Sequence, residues 1–350
     1  MYNKNKAILY SLIIALSGMS CGKENKPNIP YLFGFDEYNV IVSEIVIEEQ
    51  LHNPISVFAH NDTLFVTDES NQPSVAVYQL NGSGVYTRIK EIGREGSGPG
   101  EFAYPYMMTP NNSGLYVYDA RQRKLALINK QLETDIRELY LRFTGLPVDV
   151  HAVSDSLFLA TGVHMDSRVQ LLGVDGSDLF ELEGYGEIAD LGDSFTEMRS
   201  QVASVWHARS TYSREQSRIA VFSVNADRIE LYDTSSGQLI TTLSHPENEV
   251  PNVRISSSSG NLSFNDGALK SYLWVTSDRQ YIYALYSGVE QHANDSGYGR
   301  YVHVFDWNLN FITAFELDHG SRSITSDLNG GIYSVEHDPR VAIRHVTISL

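Results

Sequence analysis

The chain has a single cysteine among 350 residues, Cys21, so no disulfide can form within it. Core packing alone must stabilise the fold, and one free thiol in an oxidising compartment would be a liability. Basic residues are few: 26 Lys and Arg face 43 Asp and Glu, a formal charge of −17. Nucleic acid and anionic membrane surfaces are therefore poor partners. There is no apolar run long enough for a spanning helix; the one strongly apolar stretch, Ala7 to Leu16, is about half the ~20 residues a bilayer needs. Helical periodicity is also scarce. Residues 194–207 are the best helix candidate, and no window supports more than about two turns. Signature motifs of hydrolases and metal sites are missing too: no Gly-x-Ser-x-Gly, no His-Glu-x-x-His and no EF-hand loop occurs.

The N-terminus has the layout of an export signal. Lys4 and Lys6 precede the apolar stretch, and Ser17-Gly18-Met19-Ser20 leads to Cys21. This resembles a bacterial lipoprotein signal, in which the cysteine becomes the lipidated terminus. The boundaries expected are a signal at 1–20, a polar tether at 21–37 and one folded domain at 38–350. Removing Lys4 and Lys6 leaves 24 basic residues against 43 acidic, a net of about −19. The expected location is the bacterial cell envelope, with the membrane met only through the lipid. An ordinary secretory signal cut near Ser20 is the competing assignment.

What the chain has in quantity is strand chemistry. A phrase of apolar, any, apolar, apolar occurs about six times, the last copy with an arginine in the fourth place: Val75-Ala76-Val77-Tyr78, Leu125-Ala126-Leu127-Ile128, Val169-Gln170-Leu171-Leu172, Ile229-Glu230-Leu231-Tyr232, Val302-His303-Val304-Phe305 and Val341-Ala342-Ile343-Arg344. The copies lie roughly 40–70 residues apart, the size of propeller repeats. A second phrase precedes each one, as in Leu64-Phe65-Val66-Thr67 and Leu115-Tyr116-Val117-Tyr118, after turn-formers such as Asn111-Asn112-Ser113-Gly114. Each unit reads as four antiparallel strands. The expected fold is an all-β, six-bladed propeller, because such sheets bury both faces only by stacking around an axis. The last unit is one strand short, and residues 40–47 are a spare strand expected to complete it and close the ring.

Ile92-Gly93-Arg94-Glu95-Gly96-Ser97-Gly98-Pro99-Gly100-Glu101-Phe102 is the sharpest local signal. It is not a phosphate loop: Pro99 stands where lysine is required and no Ser or Thr follows. It reads as a crossing between blades, with Phe102 wedged between them. With Tyr104-Pro105 and Gly114-Leu115-Tyr116-Val117-Tyr118-Asp119, it resembles an NHL-type blade. The chain as a whole resembles the TolB-like six-bladed propeller lipoproteins of Bacteroidetes. That resemblance implies fold and compartment and carries no catalytic residues.

Ligands of propellers commonly meet the loops that lead into each innermost strand. These place His52, Tyr106, Asp149, Arg199, Trp206, Trp274 and Arg322 near the channel mouth, where arginine and aromatic groups suit an anionic or carbohydrate-like ligand. Alternatively, Trp206 and Trp274 are inter-blade core and Arg322 pairs with an acid. The long segment 287–300 adds His292 and Arg300. The function expected is non-catalytic binding or scaffolding by a monomer, with a small molecule, glycan or protein as partner and no cofactor or bound metal. The alternative is a metal-assisted lactonase or lyase, using Asn53, Asp149 and Glu197.

Overall fold

The computed structural model describes residues 38–348 apart from 49–50, 70–71, 73, 142–144, 164–166, 175–177, 183–197, 257–258 and 338. Cys21, the signal and the tether lie outside the described residues, as does Glu197.

Four consecutive antiparallel sheets come first. They are β3–β6 (Pro54–His60, Thr63–Asp68, Ser74–Leu80, Tyr86–Ile92), β7–β10 (Pro105–Pro110, Gly114–Asp119, Lys124–Asn129, Thr134–Tyr140), β11–β14 (Leu146–Ala152, Leu157–Val163, Val169–Gly173, Asp178–Leu182) and β15–β18 (Ala208–Ser213, Arg218–Ser223, Arg228–Asp233, Leu239–Ser244). A larger sheet holds two further units, β21–β24 (Tyr272–Ser277, Tyr281–Tyr286, Gly299–Asp306, Phe311–Ser326) and β24–β25–β26–β2, with β25 at Gly331–Glu336, β26 at Ala342–Thr347 and β2 at Glu44–Ile47. The shared β24 is 16 residues long. Its first half pairs with β23 and its second half with β25, so it is the outer strand of the fifth unit and the innermost strand of the sixth. Arg322, expected in a connecting loop, is therefore part of a strand.

The two repeated phrases are the middle strands of each unit. Middle strands have neighbours on both edges and a packed sheet on both faces, which is why they read as nearly unbroken apolar runs. The outer strand β6 instead alternates, with Ile92 buried and Ile89 about half exposed. Among the described residues, six apolar clusters each join two units. Phe65, Val77 and Ile92 meet Met108, Val117 and Ile128 between the first and second, for example. Another sets Val57, Leu64 and Val66 of the first unit against Tyr333, Val335 and Ile343 of the sixth, with Ile47 of β2 among them.

The spare N-terminal strand is used in two pieces rather than one. β1 (Asn39–Ile41) runs parallel to the outer half of β24, and β2 runs antiparallel to β26. The break falls at Ser43, whose hydroxyl donates to Asp318 Oδ1 (2.6 Å) and receives a bond from Arg344 Nη1 (3.1 Å).

The glycine run crosses from β6 to β7. Gly93 has φ +85°, and a Cβ there would collide with the ring of Phe102, which is fully buried. The crossing is tied to the second unit by the buried pair Lys124–Glu138 (2.7 Å): Lys124 Nζ donates to Gly98 O (3.2 Å) and Gly100 N to Glu138 Oε1 (2.9 Å).

The innermost strands leave one backbone edge unpaired toward the axis, and buried edges need partners. Side chains of the neighbouring unit supply several. Ala152 N donates to Thr109 Oγ1 (3.0 Å), Ser210 N to Asp149 Oδ2 (2.7 Å) and Ser326 N to Thr276 Oγ1 (3.2 Å), while Ser323 Oγ donates to Ile55 O (2.7 Å).

Among the described residues, helix α1 (Arg199–Val205), inside the window that the sequence favoured, and the hairpin β19–β20 (Val253–Ile255, Leu262–Phe264) interrupt the repeat. They pack together through Val202, Val205, Trp206, Ala226 and Val253. No helix among the described residues is long and apolar enough to cross a membrane.

Candidate functional site

All six innermost strands border one cavity of about 460 Å³. Its wall is rich in hydroxyls: Ser56, Thr109, Ser210, Thr211, Thr276, Ser277, Thr325 and Ser326. They derive from the positions of these short strands that point toward a neighbouring unit, where small polar groups can satisfy a backbone edge. Thr211 Oγ1 and Ser277 Oγ lie 2.7 Å apart, and Ser56 Oγ and Thr67 Oγ1 2.9 Å. The cavity extends to the turns that follow the innermost strands, marked by His60, Asn111, Asn112, Arg214, Glu215 and Leu328. This is the opposite side of the molecule from the lead-in segments that the sequence singled out.

The inner end of the cavity is built on Arg209, the second residue of β15. Its guanidinium is almost fully buried. It pairs with Asp149 Oδ1 through Nη2 (2.7 Å), donates from Nη1 to the Tyr106 hydroxyl (2.5 Å) and stacks on Trp274, 3.8 Å from the ring centroid. Tyr106 and Trp274 also meet, at 5.8 Å between ring centroids. Four units thus converge on one cation. Burial alone would lower the pKa of Arg209; Asp149 and Tyr106 outweigh it and hold the group charged. Beside it, His151 Nε2 and Ser210 Oγ are 2.9 Å apart, and Thr161 Oγ1 reaches the same Ser210 oxygen at 2.8 Å. Burial pushes the His151 pKa down, so this imidazole is neutral at pH 7.

Three of the residues singled out from the sequence, Tyr106, Asp149 and Trp274, are thus brought together, and Asp149 and Trp274 line the cavity. The others stand elsewhere. Trp206 is core: it is fully buried, with the guanidinium of Arg168 5.1 Å and that of Arg228 5.9 Å from its ring centroid. Arg322 Nη1 donates to Asn53 Oδ1 (3.2 Å), and Asn53 Nδ2 to Glu69 Oε2 (3.3 Å), a bridge between the sixth and first units. His52 is mostly exposed, and its backbone N–H is held by Asp68 Oδ2 (3.0 Å). His292 and Arg300 are exposed on the 287–300 segment. Arg199 opens helix α1, and its side chain lies outside the described residues. Among the described residues, no three His, Cys, Asp or Glu side chains group as a metal site.

Arg209 and His151 were not anticipated. Arg209 sits in Ala208-Arg209-Ser210-Thr211, at the register position that Ser56, Met107, Asp149 and Trp274 hold in other innermost strands; its Asp149 partner is 60 positions back in sequence.

Two solved structures are similar over most of the chain. The β-propeller domain of Myceliophteria thermophila Cps50 (Swd1) has a TM-score of 0.49 at 10% identity, covering 88% of this chain and 100% of that one. The structure of U3-55K has a TM-score of 0.48 at 10% identity, covering 87% and 98%. No curated protein sequence matches. The sequence profile of the family described as TolB-like 6-blade propeller-like matches residues 35–329, nearly the whole of the strand repeat set out above, and the chain belongs to that family.

Proposed function

We propose that this protein is a lipid-anchored β-propeller of the bacterial cell envelope, working as a monomeric, non-catalytic binding module whose ligand or partner segment enters the axial cavity. The observation that carries this reading is the cavity itself. All six innermost strands contribute to it, its wall mixes hydroxyls with Phe58, Tyr212 and Trp274, and its volume suits a small molecule or glycan, or a few residues of a protein partner. Strong net negative charge argues against nucleic acid as that partner. A metal-assisted reaction has no supporting group of ligands among the described residues.

In this reading Cys21 carries the lipid, residues 21–37 form the tether and β2 closes the ring of blades. The pairing of β2 with β26 and the place of Ile47 between the first and sixth units support the closing role. The NHL-type character of the blades and a Bacteroidetes origin rest on the glycine-rich crossing and the signal region.

A thermal-shift screen against glycans, short peptides and divalent metals tests the module. Binding of a glycan or peptide that Trp274→Ala weakens by tenfold or more supports the cavity, and a hit indifferent to that change refutes it. Metabolic labelling with a radioactive fatty acid tests the anchor: Cys21→Ser should abolish the label, and persistence of the label would rule Cys21 out.

A further inference from the structure

The lead-in side of the axis, away from the turns that open the cavity, holds three donor side chains, of which only Arg209 has a carboxylate partner among the described residues. Val224 lies between two lead-in segments: its N–H donates to His207 O (2.9 Å), and its carbonyl accepts from Ser271 N (2.7 Å). His207 and Lys270 thus stand at the starts of neighbouring innermost strands. Arg209, two residues after His207, shares its side of β15. His207 Nε2 is buried with no hydrogen-bond partner, and so is Arg209 Nε. Lys270 is half-buried, and its ammonium has no ion pair or hydrogen bond among the described residues.

Neither nearby carboxylate pairs with Lys270. Asp149 uses one oxygen on Arg209 and the other on Ser210 N; Asp227 accepts from Ser271 Oγ through Oδ1 (2.6 Å), and its Oδ2 is buried without a hydrogen bond. Burial lowers the Lys270 pKa with no acid to oppose it, and the charges of both Arg209 and Lys270 bear on His207. A partly desolvated ammonium without a counterion is costly, and proteins that keep one usually use it.

Lys270 is also held in place. Its N–H donates to Val289 O and its carbonyl accepts from Gly288 N, both at 2.8 Å. Gln291 Nε2 ties the same insertion to Leu269 O (3.1 Å) and Asn225 Oδ1 (2.6 Å). The long segment between β22 and β23, conspicuous in the sequence, thus fixes the backbone that carries the lysine.

We propose that His207, Arg209 and Lys270 form a binding site for one small oxyanion group, a carboxylate or a phosphate, on the lead-in side of the axis. The imidazole and guanidinium N–H groups supply directed donors and the ammonium supplies charge. His207 and Lys270 stand outside the lining of the axial cavity, and Arg209 is the one residue the two sites share, so the proposal does not rest on the cavity having a ligand.

The test titrates residues 22–350 with inorganic phosphate and, separately, with acetate, each against sodium chloride at equal ionic strength. Melting temperature and tryptophan fluorescence are read, Trp274 lying against Arg209. The expected result is a saturable rise in melting temperature with at least one anion. Response to phosphate alone assigns a phosphoryl ligand; response to acetate assigns a carboxylate. Lys270→Met should weaken that anion tenfold or more, while melting no lower than the parent in chloride, because it removes an unpaired, half-buried charge. Lys90→Met, at an exposed lysine on β6, should bind as the parent does. No saturable response to either anion, or a Lys270→Met protein that binds as the parent does, overturns the proposal.

Discussion

His303 should make this protein acid-labile well above the pH at which its carboxylates titrate. The imidazole is buried between the units of β15–β18 and β21–β24, stacked on Tyr286 at 4.9 Å between centroids. Its Nδ1 lies 3.2 Å from the Tyr272 hydroxyl and Nε2 3.1 Å from that of Tyr38. Neutral imidazole, with one donor and one acceptor nitrogen, satisfies both phenols. Burial drives the His303 pKa down to about 3. His207 is pushed to about 3 as well, by burial first and then by the charges of Arg209 and Lys270. In the unfolded chain a histidine titrates near ~6.5. Between these values the unfolded state holds more protons, so stability is complete above about pH 7 and falls as the pH falls.

From pH 7 to 5 each of these two histidines costs roughly 2 kcal/mol, about 4 together, out of a total of order 5–15 kcal/mol for a folded domain. His151, His319 and His337, all lowered chiefly by burial, act in the same direction. Asp227, raised by burial, opposes them. The assay is urea unfolding of residues 22–350 at pH 7, 6 and 5, for the parent and for His303→Gln, whose amide can both donate and accept. The variant loses some stability at pH 7, but its loss between pH 7 and 5 should be smaller than the parent's by about 2 kcal/mol. Equal pH dependence in the two proteins would refute the reasoning, since His303 would then titrate alike folded and unfolded.

Arg209→Met leaves Asp149 buried without its cation and should destabilise by about 3–5 kcal/mol; adding Asp149→Asn should recover part of that in chemical denaturation. Phe102→Ala opens a cavity between the first and second units and should cost about 3–5 kcal/mol by the same measurement. Gly93→Ala combines a left-handed backbone with a collision against that ring and should lower stability by more than ~1 kcal/mol, whereas Gly82→Ala, with open space around it, should change it far less. Deleting residues 38–49 removes β1, β2 and the Ser43 contacts to Asp318 and Arg344, so the melting temperature should drop sharply or soluble protein be lost; a truncated protein melting with the parent would exclude a closing role.

The period of the apolar phrases was enough to define the repeating unit. A strand with sheet on both faces must be apolar along its length, and that requirement is local, so Val75–Tyr78 and Val302–Phe305 declare themselves. The glycine run was equally readable, since Gly93 and Phe102 are close in sequence and their collision constraint is short-range. What the tertiary structure alone decided depends on groups far apart in the chain. Tyr106, Asp149, Arg209 and Trp274 come from four different units, and nothing in any one segment marks the arginine as their meeting point. The same holds for the continuous β24, for the two-piece docking of the N-terminal strand at Ser43, and for the side of the axis on which the cavity opens. Sequence patterning specifies which faces a strand buries; the stacking of one sheet on the next selects which polar side chains end up sharing a site.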